Sequence, residues 1–155
     1  KSMIKGIYIM GGAVLVGYNG KAPAEAEWNI RCDVPAAKKL FESGIHVTMA
    51  GLESTAMMKL DDELQKRLFA KGTPTTDALA ALTNLWGNKT PTLFDPVAVA
   101  AAGGASFWDT EEMHVTVGDD AVTRKTEGPA NVTLLTNPKR DGFMNWYVKT
   151  LLDAK

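Results

Sequence analysis

The sequence predicts an α/β domain that contains a parallel βαβ unit. Residues 4–10 form a short apolar run that two glycines end, which is typical of a buried strand entering a loop. Residues 35–44 form a short amphipathic pattern that also ends in glycine, and they predict a helix. The β-rich segment 45–52 then predicts a second strand. Because a helix separates the two strands, we expect the strands to run parallel.

The segment between the first strand and this helix is predicted to be mostly loop. Residues 13–16 extend the apolar layer, and residues 17–26 are rich in glycine, asparagine and proline. Residues 27–29 are strand-like, and Asp33 is a candidate cap for the helix that starts at Pro35.

The rest of the chain predicts further helices and strands. Leu60, Leu64 and Leu68 follow a four-residue period, which is typical of an amphipathic helix. The predicted helices are residues 61–71, 78–86, 95–104 and 140–155, and the predicted strands are residues 113–117 and 132–136, with a turn at 118–120 between possible hairpin arms. Because no repeat or linker interrupts these elements, we predict one domain over residues 1–155.

Composition argues against several classes of function. The chain has 155 residues, of which 45% are hydrophobic and 23% charged, and its net charge is −1. So small a charge gives no broad attraction to nucleic acid or to a membrane surface. No segment is long and apolar enough to span a bilayer, and residues 1–20 lack the features of a signal peptide, so we expect a cytoplasmic location. Cys32, the one cysteine, is interpreted as a small buried thiol rather than a nucleophile, since no histidine is near it in the sequence.

Few polar residues stand out as candidates for chemistry. In a strand-like stretch, Glu27 and Asn29 point the same way, and a carboxylate beside a carboxamide suits adjacent sugar hydroxyls. The alternative is a pair of solvated loop residues, which spacing alone favours. Asp95 stands at a predicted helix start, where spacing alone favours an ordinary N-cap. His46 and His114 are isolated and form no metal-ligand spacing, so we interpret both as structural or surface residues.

Four segments taken in order carry a more specific signal: MGGAVLVGYN, AEWNIRCD, AAKKLFESGIHVTMAGLEST and TPTLFDPVAVA. Together they resemble motifs of the inosine–uridine type nucleoside hydrolases, and AEWN is most similar to the purine-preferring branch. The resemblance covers nearly the whole chain and implies the C-terminal half of a protein about twice as long. It implies an open, mainly parallel sheet with helices on both faces and a site at the carboxyl ends of the strands.

The resemblance also implies roles for individual residues in binding a ribonucleoside. Met10 would lie against the ribose. Asn19 and Glu27 would bind hydroxyls nearer the 5′ side of the sugar, and Asn29 would bind one nearer the 3′ side. Asp95 would bind Ca²⁺ and contact the ribose diol, so Asp95 and Asn29 are the residues expected to carry catalysis.

The chain departs from the family pattern at Phe94 and Glu53, and also at Arg31, where relatives usually have an aromatic residue, and at Val34, where they usually have proline. Phe94 stands where many relatives have a histidine that could protonate the leaving base, or a tryptophan that stacks on it; Phe94 could stack but cannot donate a proton. Glu53 replaces a common aspartate in the segment GLEST, to which we assign no catalytic role.

A larger departure concerns the acidic motif Asp-x-Asp-x-x-x-Asp-Asp, which holds calcium and deprotonates the attacking water in relatives. This motif is absent from residues 1–10, and the chain starts at Lys1, shortly before a strand. We therefore expect half of an active site, with the N-terminal half of the same protein or another copy of the chain as partner. The alternative is a non-catalytic remnant that binds a ribosyl ligand or a partner.

Overall fold

The centre of the molecule is a five-stranded sheet. The computed structural model describes residues 3–87 and 90–154. The strands are β1 (Ile7–Met10), β2 (Val47–Ala50), β3 (Asp109–Val117), β4 (Thr123–Thr126) and β5 (Val132–Thr136). They lie in the order β1-β2-β5-β3-β4, in which β1, β2 and β5 are parallel and β3 runs antiparallel to both β5 and β4. The predicted α/β class with a mainly parallel sheet is confirmed.

The register of the parallel strands determines where a site can form. Ile7 lies opposite Val47, and Met10 lies opposite Ala50. Val47 in turn lies opposite Val132. The carboxyl ends of β1, β2 and β5 therefore meet at the same edge of the sheet, which is where open α/β sheets bind their ligands.

Helices connect and cover the strands. They are α1 (Trp28–Cys32), α2 (Val34–Phe41), α3 (Leu52–Thr55), α4 (Asp62–Phe69), α5 (Pro74–Trp86), α6 (Phe94–Ala102) and α7 (Arg140–Asp153). Asp33 caps α2 as predicted, because its side chain accepts a hydrogen bond of 2.9 Å from the Ala36 N–H. Residue 155, the predicted end of the last helix, lies outside the described residues.

The helices lie on both faces of the sheet, as expected. On one face, Phe41 of α2 and Ile30 of α1 pack with Val47 and Leu134 of the strands. On the other face, a second buried cluster contains Val97 of α6, Leu68 of α4 and Phe143 of α7. Strands β2 and β5 thus contribute buried residues to both clusters, Met49 and Leu134 to the first and Ala50 and Leu135 to the second.

Several expectations about local structure are wrong. Residues 27–29 are not strand-like, because Glu27 is the N-cap of α1. Helix α5 starts at Pro74 instead of residue 78, since Thr73 and Thr76 form a reciprocal capping box. The turn predicted at 118–120 does join the arms of a hairpin, but the second arm is β4, which the sequence did not predict, and β5 pairs with the other edge of β3. Cys32 is exposed, so the expectation of a buried thiol is also wrong.

Among the described residues, no helix combines the length and the hydropathy that crossing a membrane requires.

Candidate functional site

A cavity of about 560 Å³ lies at the carboxyl end of β1. Its walls come from the end of β1, the starts of α1 and α6, one face of α5, and Tyr147 of α7. It is lined by Met10, Tyr18, Glu27, Trp28, Asn29, Leu60, Leu79, Leu82, Thr83, Trp86, Pro91, Thr92, Leu93, Phe94, Asp95, Pro96 and Tyr147. Most of these side chains are apolar or aromatic and a few are polar, which is the usual composition of a small-molecule site.

Glu27 connects two parts of this wall. One carboxylate oxygen, Oε2, accepts hydrogen bonds from the backbone N–H groups of Gly12, Asn29 and Ile30, at 3.0, 2.9 and 3.2 Å. The side chain therefore caps α1 and also holds the loop that follows β1. Only 2% of Glu27 is exposed, and a buried carboxylate requires such donors because it has lost its hydration.

Asn29 lies in α1 and contacts the end of β1. Its side-chain Nδ2 donates to the backbone oxygen of Met10 at 3.1 Å and approaches the Met10 sulfur at 3.2 Å. Met10 and Asn29, which are far apart in the sequence, thus line the cavity side by side.

Phe94 and Asp95 begin α6 on the opposite wall. The residue that caps α6 is Leu93, which makes no side-chain cap, so Asp95 is not the N-cap that spacing alone favoured. The exposed Asp95 carboxylate has no hydrogen bond or ion pair within residues 3–87 and 90–154. It is available to accept hydrogen bonds or to bind a cation, and its position in the first helical turn favours a negative charge.

Tyr18 joins the two walls, although sequence reasoning missed it. Its hydroxyl accepts a hydrogen bond of 2.7 Å from the Trp28 N–H. Its ring meets that of Phe94 edge to face, with centroids 6.4 Å apart. Burial raises the pKa of the Tyr18 hydroxyl, although the Trp28 hydrogen bond opposes the rise, so the hydroxyl keeps its proton at neutral pH.

The cavity brings together most of the predicted site residues. Met10, Glu27, Asn29, Phe94 and Asp95 all line it. Asn19 is exposed and is not among the lining residues; its Oδ1 accepts a hydrogen bond of 2.8 Å from the Lys21 N–H.

The remaining wall was also missed. Leu82 and Trp86 project from α5 with 64% and 60% of their surfaces exposed, and Trp28 of α1 is 65% exposed. From the sequence alone, the apolar residues of α5 would be expected to face the core. Helix α5 has more apolar residues than one buried face can hold, and only this surplus could have indicated a binding surface.

The cavity supplies one free carboxylate for a metal ion. A calcium ion takes six to eight oxygen ligands, and Asp95 offers the hard oxygen that calcium prefers. Within the described part of the chain, no group of three or more His, Cys, Asp or Glu side chains could hold a metal. The type of donor therefore fits calcium, but the described residues do not complete a coordination shell.

Comparison with known proteins assigns the chain to a family. The family model described as inosine-uridine preferring nucleoside hydrolase matches residues 1–145. The chain belongs to this family. The pyrimidine-specific ribonucleoside hydrolase RihA of Shewanella sp. (strain ANA-3) is 34% identical, over 96% of this chain and 52% of the relative. The chain thus spans about half the length of the curated relatives that it matches.

Solved structures support the same assignment of fold. The purine-preferring ribonucleoside hydrolase from Gardnerella vaginalis is 25% identical, with a TM-score of 0.76 over 92% of this chain and 50% of that protein. The inosine-uridine preferring nucleoside hydrolase from Bacillus anthracis is 19% identical, with a TM-score of 0.70 over 95% of this chain and 49% of that protein. This chain therefore has the nucleoside hydrolase-like α/β fold. The relatives thus include one protein described as specific for pyrimidine nucleosides and one described as preferring purine nucleosides.

Proposed function

We propose that this chain supplies the sugar-binding part of a ribonucleoside hydrolase, which cleaves the N-glycosidic bond with water to give ribose and a free base. One observation carries the proposal: in a member of this family, the predicted site residues line a single cavity. These residues are Met10, Glu27, Asn29, Phe94 and Asp95. These residues come from three separate segments, and only the fold brings them together.

The polar residues have complementary tasks in this proposal. Asn29, oriented by its bonds to Met10, presents its amide oxygen to a ribose hydroxyl. Asp95 accepts the hydrogen bonds of the ribose diol, since its carboxylate has no partner among the described residues. Contacts that tighten as the sugar approaches an oxocarbenium-like transition state accelerate the reaction more than contacts that are equally strong in the ground state and the transition state. Asn29 and Asp95 are the catalytic residues that we propose in this chain.

Glu27 and Asn19 are less favourably placed to bind the sugar than Asn29 and Asp95 are. Glu27 lines the cavity, but its Oε2 already holds three backbone N–H groups, so only Oε1 is left for a hydroxyl. Asn19 lies outside the lining residues, and in our proposal it reaches a 5′-hydroxyl only if residues 17–21 close on the ligand.

The base would lie against the aromatic side of the cavity. Phe94 and Trp28 offer ring faces, and Phe94 has no proton to donate to the leaving group. Stacking on a large base supports a preference for purines, which we keep as part of the proposal. Comparison of kcat/KM for inosine and uridine tests this preference directly.

We include Ca²⁺ with Asp95 as one of its ligands, and we expect the other ligands to come from outside this chain. When bound, such an ion supplies a water molecule of lowered pKa. The proposed protein is a complete, cytoplasmic polypeptide in which an N-terminal half adjoins this chain, and copies of it associate.

The test is release of ribose from inosine and uridine by the complete protein and by the 155-residue chain, with Ca²⁺ added. We expect turnover only by the complete protein. Turnover by the pure isolated chain would refute the division of the active site between two halves.

The competing function is binding of a ribosyl ligand without hydrolysis. Saturable binding of inosine to the complete protein, with no ribose released in the presence of Ca²⁺, would favour this alternative. An Asp-x-Asp-x-x-x-Asp-Asp motif in the sequence upstream of Lys1 would favour the hydrolase.

A further inference from the structure

The loop after β1 is held by side chains from three other parts of the chain. The Gly12 N–H donates to Glu27 Oε2 at 3.0 Å, and the Ala13 N–H donates to Thr123 Oγ1 at 2.8 Å. The N–H groups of Val14 and Leu15 both donate to Glu53 Oε1, each at 2.7 Å. Four successive backbone donors thus depend on side-chain acceptors.

The conformation of this loop explains why side chains are needed. Gly12 has φ of +81°, so the chain leaves the strand geometry at that residue. Ala13 is fully buried, and Thr123 is 1% exposed, so water cannot replace their contact. A buried N–H that loses its acceptor is costly, so Glu27 and Thr123, which accept from the buried Gly12 and Ala13 N–H groups, determine which loop conformation is stable. Glu53 adds a second anchor at the half-buried Val14 N–H.

The same loop connects two walls of the proposed nucleoside cavity. Met10 lies immediately before it and Tyr18 shortly after it, and both line the cavity. Tyr18 reaches Trp28 and Phe94 only if the loop between Met10 and Tyr18 returns along its present path.

We propose that Glu53 and Thr123, neither of which lines the cavity, are positioning residues that set its shape by fixing residues 12–15. The kinetic part of this proposal rests on the proposed hydrolase function; the structural part does not. Thr123 belongs to β4, so the β3–β4 hairpin supports the substrate site although it lies at the far edge of the sheet.

The contacts predict which substitutions preserve the function. Thr123 accepts from the Ala13 N–H and also donates to the Ala13 oxygen at 2.7 Å, so Thr123→Ser keeps both bonds and Thr123→Val loses both. Glu53→Gln keeps an oxygen for Val14 and Leu15, whereas Glu53→Ala leaves both N–H groups without an acceptor.

Hydrogen exchange of the isolated chain tests the structural part without any activity. In Glu53→Ala and Thr123→Val, we expect amides 12–15 to exchange at least about tenfold faster, while those of Val47 and Leu134 in the central strands keep their rates. Glu53→Gln and Thr123→Ser should resemble the unsubstituted chain. The matched controls are Glu111→Ala and Thr126→Val, which alter exposed residues of β3 and β4.

Kinetics of the complete protein test the positioning role. We expect KM for a ribonucleoside to rise about tenfold in Glu53→Ala and Thr123→Val with kcat within about threefold, and Glu53→Gln and Thr123→Ser to restore KM. The proposal would be overturned if the exchange rates of amides 12–15 and KM were both unchanged in Glu53→Ala and Thr123→Val. It would also be overturned if Glu53→Gln and Thr123→Ser changed exchange and KM as much as Glu53→Ala and Thr123→Val do. If Glu53→Ala does not fold, the comparison of exchange rates and KM between Thr123→Val and Thr123→Ser decides whether the proposal holds. An inactive unsubstituted protein would refute the hydrolase function and leave the exchange result to decide the loop.

Discussion

One nitrogen of Asn29 contacts two atoms of Met10: Nδ2 lies 3.1 Å from the Met10 backbone oxygen and 3.2 Å from the Met10 sulfur. The contact attaches the start of α1 to the carboxyl end of β1. It also leaves the Asn29 amide oxygen free to face a ligand, because both Met10 contacts use the nitrogen. The orientation of this amide is therefore determined before any ligand binds.

Replacing Asn29 tests whether this orientation serves substrate binding. In the complete protein, we expect Asn29→Ala to lower kcat/KM about ten- to a hundredfold, since the variant loses a polar contact in a partly desolvated site. Asn145→Ala, which alters an exposed residue of α7, is the control. Equal activities of the two variants would remove Asn29 from the site.

A second prediction concerns stability. Glu27→Ala removes the acceptor of three backbone N–H groups at once, so we expect the free energy of unfolding to fall by about 2–3 kcal/mol. Urea denaturation measures the change. Glu25→Ala, at an exposed position of the same loop, should stay within about 0.5 kcal/mol of the unsubstituted protein. A loss in Glu27→Ala as small as that of the control would contradict the capping role.

The parts of the fold that the sequence predicted depend on local patterns. The strand that ends at Met10, the helix capped by Asp33 and the strand before Gly51 each have their own periodicity and terminal signals. These signals require no knowledge of distant residues, and the resemblance to a family supplied the arrangement of the elements around the sheet.

The missed parts depend on contacts that are distant in the sequence. Helix α1 has only five residues, and its cap Glu27 also binds Gly12, so neither propensity nor local spacing could identify it. Tyr18 joins the site through Trp28 and Phe94, a relationship that exists only after the chain has folded. Cys32 is exposed because α1 turns it outward, whereas its residue type predicts burial.

A third prediction concerns the base. Phe94→Ala should lower kcat/KM for inosine about two- to tenfold and have a smaller effect on uridine, because a purine offers more surface for stacking. Phe94→His should improve substrates whose leaving group needs a proton. Tyr18→Phe keeps the ring that meets Phe94 and should change the ratio of the two substrates little. An unchanged ratio in Phe94→Ala would contradict the stacking role.

A fourth prediction concerns association. Strand β1 pairs only with β2 among the described strands, and Ile4, just before the strand, and Tyr8, within it, are 48% and 45% exposed. An open edge with apolar neighbours favours pairing, so we expect the 155-residue chain to bind the N-terminal half or another copy of itself. Light scattering over a range of concentrations measures this. Tyr8→Lys should weaken association and Thr110→Lys, on β3, should not; a monodisperse monomer at high concentration would contradict the prediction.

The fifth prediction compares Asp95 with Cys32, since both side chains are exposed but only Asp95 lines the cavity. Asp95→Ala in the complete protein removes a proposed ligand of calcium and an acceptor for the ribose diol together. We expect it to lower kcat/KM more than Asn29→Ala does, by more than about a hundredfold, and to weaken calcium binding measured by calorimetry. Excess Ca²⁺ should restore activity only in part, because added metal cannot replace the lost sugar contact. Cys32→Ser should have wild-type kinetics and calcium affinity, since the thiol lies outside the cavity. If Asp95→Ala behaves like Cys32→Ser in both measurements, the role assigned to Asp95 at the start of α6 is wrong, and the hydrolase proposal loses its main support from this chain.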